Sequence, residues 1–166
     1  MNRKIVVRPA EEKDTPLVFE FVRGLAEYER LLDQLAATEE DLRRFIFEEK
    51  RAEVLIAEYG GRAAGFALFF STFSTFVGKP GIYIEDLFVK PEFRKKGLGK
   101  RLFASVAEIA LQRNCGRLEW ACLDWNTPSI DFYVSQGAQP LSQWTSYRIT
   151  GEKLKRLAEW DGQGGD

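Results

Sequence analysis

Histidine is absent from this 166-residue chain, and cysteine is limited to Cys115 and Cys122, seven positions apart. Without imidazole, Ser-His and Cys-His nucleophiles and His-ligated zinc are excluded, and the two cysteines form no CxxC pair. Long apolar runs are missing too. The longest, residues 63–70, is interrupted by Gly65 and is too short to span a bilayer, and residues 1–7 lack the apolar stretch of a secretory signal. These features predict a cytoplasmic protein with no membrane association. Charge of one sign is also missing: 24 Lys plus Arg against 25 Asp plus Glu leave a net charge of −1, so no global nucleic-acid signature is present. The length predicts one domain that buries roughly 70% of its extended surface, enough to fold without disulfides or a structural metal. The 45% apolar and 30% charged fractions are those of a soluble globular protein.

The charge that is present is unevenly spread. Residues 90–101 hold six basic residues (Lys90, Arg94, Lys95, Lys96, Lys100, Arg101) and one acidic, Glu92. Residues 27–49 reverse the balance, with eight acidic residues against Arg30, Arg43 and Arg44. One stretch suits an anion and the other a cation.

The periodicity predicts a strand over residues 4–8, ended by Pro9. A helix capped by Asp14 follows, with Leu17, Phe21, Leu25 and Tyr28 or Leu32 on one face. Thr38 and Asp41 form a capping-box pattern for a second helix with Leu42, Phe45 and Ile46 inward. Residues 52–58 and 62–70 read as a hairpin, and a loop with Lys79, Pro80 and Gly81 leads to a strand over 82–89. That strand feeds the turn RKKGLG at 94–99 and a helix over 100–114 with Leu98, Leu102, Val106 and Ile109 on one face. A strand over 117–123 precedes a helix with Thr127 as N-cap and Gly137 at its end. A strand over 145–149, a helix over 152–160 and a disordered tail over 161–166 complete the reading. The order βααβββαβαβ implies an α/β sheet, partly antiparallel and partly parallel.

Three motifs carry chemistry. The unpaired amides of a helix start after Gly97 and Gly99, with Arg94, Lys95, Lys96 and Lys100 around them, suit a ligand with several phosphates; a solvated basic turn would read the same way. The turn is neither a Walker loop nor a dinucleotide fingerprint. In DWNTPSIDFY at 124–133, Asn126 can bridge a backbone and a ligand amide, and Tyr133 either points toward the preceding helix start or is a core aromatic. In the strand over 82–89, Glu85 and Asp86 are adjacent. Strand alternation therefore turns at least one carboxylate toward an apolar layer, where an arginine, a cationic substrate or a catalytic role must compensate it.

The order IEDLFVKPEFRKKGLG followed by DWNTPSIDFYVSQGA resembles the GNAT superfamily of acetyl-CoA-dependent N-acetyltransferases, and within it the spermidine/spermine and thialysine acetyltransferase branch. The resemblance extends from about Ile5 to Ala158 and includes LAEYE at 25–29. It implies a mixed sheet splayed in the middle and flanked by helices, in a single N-acetyltransferase domain over 1–160. It also implies that Arg94, Lys95, Lys96, Gly97, Leu98, Gly99 and Lys100 hold the pyrophosphate of acetyl-CoA. Leu87, Phe88 and Val89 would pair with its pantetheine arm, and Asn126 would contact it. Tyr133 would be the general acid toward the departing thiolate and Glu85 the base, acting through water. Tyr28, Glu29, Glu85 and Tyr147, beside Arg148, would bind the amine. No metal is implied, and a homodimer is.

Against the polyamine enzymes of that branch, which carry Tyr-Asp-Pro-Trp before the strand, this chain has Ser74, Thr75 and Phe76 with no acid. A small primary amine, diamine or lysine-like acceptor of thialysine type, attacking directly, is therefore expected ahead of a long polycation. A noncatalytic acyl-CoA sensor keeps the cofactor turn without turnover and is the alternative.

Overall fold

The computed structural model describes residues 4–160; the tail expected at 161–166 lies outside the described residues. Two compact units are present, Met1–Leu123 and Asp124–Asp166.

The first unit holds a five-stranded sheet in the order β1-β2-β3-β4-β5. The strands are β1 (Ile5–Pro9), β2 (Glu53–Tyr59), β3 (Arg62–Ser74), β4 (Lys79–Val89) and β5 (Leu118–Trp120). The first four pair antiparallel and β5 pairs parallel to β4, so the sheet is mixed as expected. Helix α3 (Leu98–Gln112) covers one face. Its Leu98, Leu102, Val106 and Ala110 form a cluster with Leu55, Phe69, Ile82 and Ile84. Helix α1 (Thr15–Tyr28) covers the other, where Val18 and Phe21 meet Ile56, Phe66, Leu68 and Phe88, and the Phe21 and Phe66 rings stack with centroids 5.3 Å apart.

Several elements differ from expectation for local reasons. Asp14 occupies the N-cap position of α1 without bonding its amides. Its carboxylate accepts from Arg8 at 2.8 and 3.0 Å and from the Glu11 N–H at 2.8 Å, which ties α1 to the edge strand β1. The Thr38–Asp41 capping box forms and opens α2 (Glu39–Leu42), which continues as a π-helical segment, Arg43–Glu48. The wider winding puts Ile46 and Phe47 inside with Leu42 and turns Phe45 out to solvent, against the inward placement expected for Phe45. Lys79, Pro80 and Gly81 are not loop but the start of β4, paired with Ser74, Phe73 and Thr72.

In the second unit, α4 (Thr127–Ser135) has Asn126, not Thr127, at its N-cap; the Asn126 carbonyl accepts from Ile130 N–H at 3.0 Å. Gly137 ends it with φ of 93° in a six-to-one, five-to-two pattern: Ala138 N–H reaches the Tyr133 carbonyl at 3.1 Å and Gly137 N–H the Val134 carbonyl at 2.9 Å. The strand expected over residues 145–149 does not form, because those residues have no ladder partner among the described residues; α5 (Gly151–Ala158) follows.

Candidate active site

One extra residue in β4 organises the site. Leu68 pairs with Asp86 and Phe69 with Ile84, so Glu85 is inserted as a bulge. A bulge bends its strand and interrupts the ladder. On the far side, β5 pairs only with Ile82, Tyr83 and Ile84 and then parts from β4, which is why β5 stops at Trp120, short of the residue 123 expected. Beyond Ile84, β4 therefore has no ladder partner on that side among the described residues, and the sheet is splayed there. Lys90 N–H bonds the Ala64 carbonyl of β3 at 2.8 Å. By strand alternation, Phe88 also points its main chain toward β3, whereas Leu87 and Val89 present theirs to the gap. The Phe88 ring is buried under α1.

The same bulge defeats simple alternation for the two acids. Asp86 shares the α1 face with its partner Leu68, while Glu85 is exposed at the insertion. Glu29, just past the end of α1, completes a three-carboxylate cluster. Burial, then Glu85, then Glu29 push the Asp86 carboxyl up to about 7. Burial and then Glu85 raise Glu29 as well, and burial, then Glu85, then Glu119 raise the Tyr83 phenol. Burial and the two neighbouring carboxylates account for the rise at Asp86, with no arginine among its causes. No group of three acidic or thiol side chains is placed to hold a metal among those residues. A cluster of this kind favours a cation that arrives from solvent and a proton that stays on the protein near neutral pH.

Where the splayed β4 ends, the turn over residues 94–99 begins. Lys95 and Gly97 both take left-handed backbone conformations, with φ of 60° and 85°, and Gly97 is the N-cap of α3. That curls the amides of the turn around a concavity at the positive end of a 15-residue helix. Lys95, Lys96 and Lys100 are exposed around it, and Leu98 is buried as the anchor of α3. A Cβ on Gly99 would come no nearer than 3.9 Å to Val89, so the concavity is open there. This cradle fits a pyrophosphate, and the Leu87 main chain with the Val89 N–H, which face the gap, fit an amide-bearing arm leading away from it. Arg94 behaves differently: its Nε–H donates to the Val89 carbonyl at 3.0 Å, and its guanidinium lies 4.7 Å from the Tyr28 ring centroid and 5.8 Å from that of Phe88.

In the second unit, Asn126 is buried at the start of α4 and Tyr133 lies seven residues further, its ring 5.5 Å from that of Phe132. Tyr147 is exposed in the stretch between α4 and α5. The first unit thus brings together Tyr28, Glu29, Glu85, Leu87, Val89 and the basic turn.

The Acetyltransferase (GNAT) family model matches residues 19–138. The chain belongs to the GNAT acetyltransferase family. The thialysine N-epsilon-acetyltransferase of Sus scrofa is 38% identical over 166 residues, covering 93% of this chain and 97% of that protein. The L-ornithine N5-acetyltransferase of Arabidopsis thaliana is 44% identical over 94 residues, 57% of this chain and 41% of that one. Among solved structures, an integron cassette protein from the mobile metagenome of V. cholerae matches with a TM-score of 0.78 and 30% identity, covering 96% of this chain and 99% of that chain. As a GNAT enzyme the protein is an acetyl-CoA-dependent acetyltransferase, and the mixed sheet, flanked by helices, is the fold of its structural neighbours.

Sequence reasoning placed Glu85 ahead of Asp86. The bulge that turns Asp86 into the α1 layer has no signal in the local residue pattern, although the adjacent acids in an apolar strand marked the place.

Proposed function

We propose that this GNAT enzyme transfers the acetyl group of acetyl-CoA to a primary amine of a small diamine, polyamine or, foremost, lysine-like amino acid acceptor. The observation that carries the choice of a cationic acceptor is the cluster of Glu29, Glu85 and Asp86 beside the splayed half of β4, in which burial and then the Glu85 charge raise Glu29 and Asp86. The named activities of the thialysine and ornithine relatives support an acceptor whose amine sits at the end of a short chain.

Acetyl-CoA supplies a thioester-activated acyl group. The main chain of Leu87, the Val89 N–H and the amides of the turn hold it, with Lys95, Lys96 and Lys100 adding charge. An alkyl ammonium with a pKa of about 10.4 must lose a proton before its nitrogen attacks, at a cost of about 4 to 5 kcal/mol at pH 7. The carboxylates first attract that ammonium, with Tyr28 beside them at the end of α1. Glu85 then takes the proton through water, and Asp86, titrating near neutrality, is the best-matched store for it. Asn126 orients the cofactor arm, and Tyr133 donates its phenolic proton to the departing thiolate. Tyr147 extends the amine site.

Residues 1–160 act as one catalytic domain in this reading, supported by a family match that runs across the boundary between the two units. A cytoplasmic location is supported by the use of acetyl-CoA and by the scarcity of cysteine, two in 166 residues. A homodimer is supported by the β3–β4 hairpin. Past Phe69, β3 has no partner on the β2 side among the described residues, and Phe73 and Phe76 are exposed on this arm, Phe76 completely.

The test is mass-spectrometric detection of acetylated product from diamines, polyamines, thialysine, ornithine, lysine and a lysine peptide. Acetylation of a small amine at its terminal nitrogen is expected. Calorimetric binding of acetyl-CoA with no product from any amine refutes the reading in favour of a sensor.

A further inference from the structure

The position of Glu29 against β4 depends on how the end of α1 is held. One turn before that end, α1 approaches β4 so closely at Gly24 that a Cβ there would lie 2.9 Å from the Phe88 ring. At the end itself Tyr28 packs on the cluster that contains Phe88, and Arg94, a residue outside both elements, joins them: its Nε–H is committed to the Val89 carbonyl and its guanidinium lies over Tyr28 and near Phe88. Tyr28 is the last residue of α1 and Glu29 its C-cap. A guanidinium is suited to this task because it stacks flat on a ring while donating in its own plane, which an ammonium does not do.

We propose that Arg94 is a positioning residue for the amine site: fixed on Val89, it clamps Tyr28 and thereby sets Glu29 against Glu85 and Asp86. This rests on the acceptor site proposed above. Contact with phosphate then falls to the main-chain amides of the turn and to the exposed Lys95, Lys96 and Lys100, while the first basic residue of the turn serves the other substrate. The clamp also links the two sites mechanically, because the residue that opens the anion turn is the one that holds the end of the amine helix.

Arg94→Met removes the charge and the guanidinium; Arg94→Lys keeps a charge but not the guanidinium that donates to Val89 while lying over Tyr28. Each is measured for acetyl-CoA affinity by calorimetry, for KM and kcat with thialysine, and for amide hydrogen exchange over residues 25–31. Both variants are expected to raise the amine KM at least fivefold and to speed exchange at least tenfold, with the acetyl-CoA dissociation constant within threefold of wild type. The double variant Arg94→Met with Tyr28→Leu is expected to have an amine KM no higher than the worse single variant, since both act through one contact. An acetyl-CoA affinity that falls tenfold or more in Arg94→Met and returns in Arg94→Lys makes Arg94 a phosphate ligand and overturns the proposal. Unchanged exchange overturns it as well. If the wild-type protein acetylates no amine, the function reading fails by itself, and the exchange measurement still decides the clamp.

Discussion

Asp86→Asn separates stability from chemistry at the acidic cluster. Asparagine keeps the shape of the side chain and removes its titration. In the folded protein the Asp86 carboxyl is raised from 3.8 to about 7 by burial and by Glu85 and Glu29. Between those two values the folded state holds a proton that the unfolded state has released, so wild-type stability falls as pH rises and levels off above about 7. The full span corresponds to about 4 kcal/mol, of which the part between pH 5 and pH 8 is at most about 3 kcal/mol. Water reaching a half-buried carboxylate reduces this, so Asp86→Asn should gain about 1 to 3 kcal/mol more over wild type at pH 8 than at pH 5. For a chain of 166 residues that is roughly 2 to 12 °C in the midpoint of thermal unfolding. The assay is urea or thermal denaturation of both proteins at the two pH values, without substrate. Activity should fall in the same variant, since a neutral amide neither attracts an ammonium nor stores its proton. An advantage that is the same at both pH values, or a loss at pH 8, refutes the strained-acid account of the cluster.

Tyr133→Phe should leave acetyl-CoA affinity unchanged and lower kcat by about 100-fold or more, the size of a lost general acid; steady-state kinetics with calorimetry checks this, and unchanged turnover removes Tyr133 from the reaction. Gly99→Glu puts bulk and negative charge into the open cradle at the start of α3, and calorimetry should find acetyl-CoA binding abolished. Replacing the fully exposed Phe76 with Ser should shift a light-scattering mass from dimer toward monomer without lowering the melting temperature of the fold; a wild-type monomer at assay concentrations contradicts the dimer directly.

Most elements of the first unit were legible because each carries local punctuation. The Thr38–Asp41 box and Gly97 ahead of α3 act through neighbouring backbone groups, so the residue pattern alone locates them. Misreadings arose where a distant partner decided. Lys79, Pro80 and Gly81 look like loop but pair with the far end of β3. Phe45 looks inward at helical spacing, but the π-helical winding turns it out. Residues 145–149 have strand composition but form no ladder with any of the described residues.

By itself, then, the sequence determined the chemistry available: no imidazole, a basic glycine turn after a strand, adjacent acids within that strand, and an Asn and a Tyr around one later helix. These are properties of residue type and short spacing. Only the tertiary structure decided that one inserted residue, Glu85, bends β4 away from β5 and turns Asp86 beneath α1 beside Glu29, and that Arg94 faces Tyr28. Register and burial are set by pairing between segments far apart in the chain, and carboxyl titration follows from that burial, so neither is written in any local run of residues.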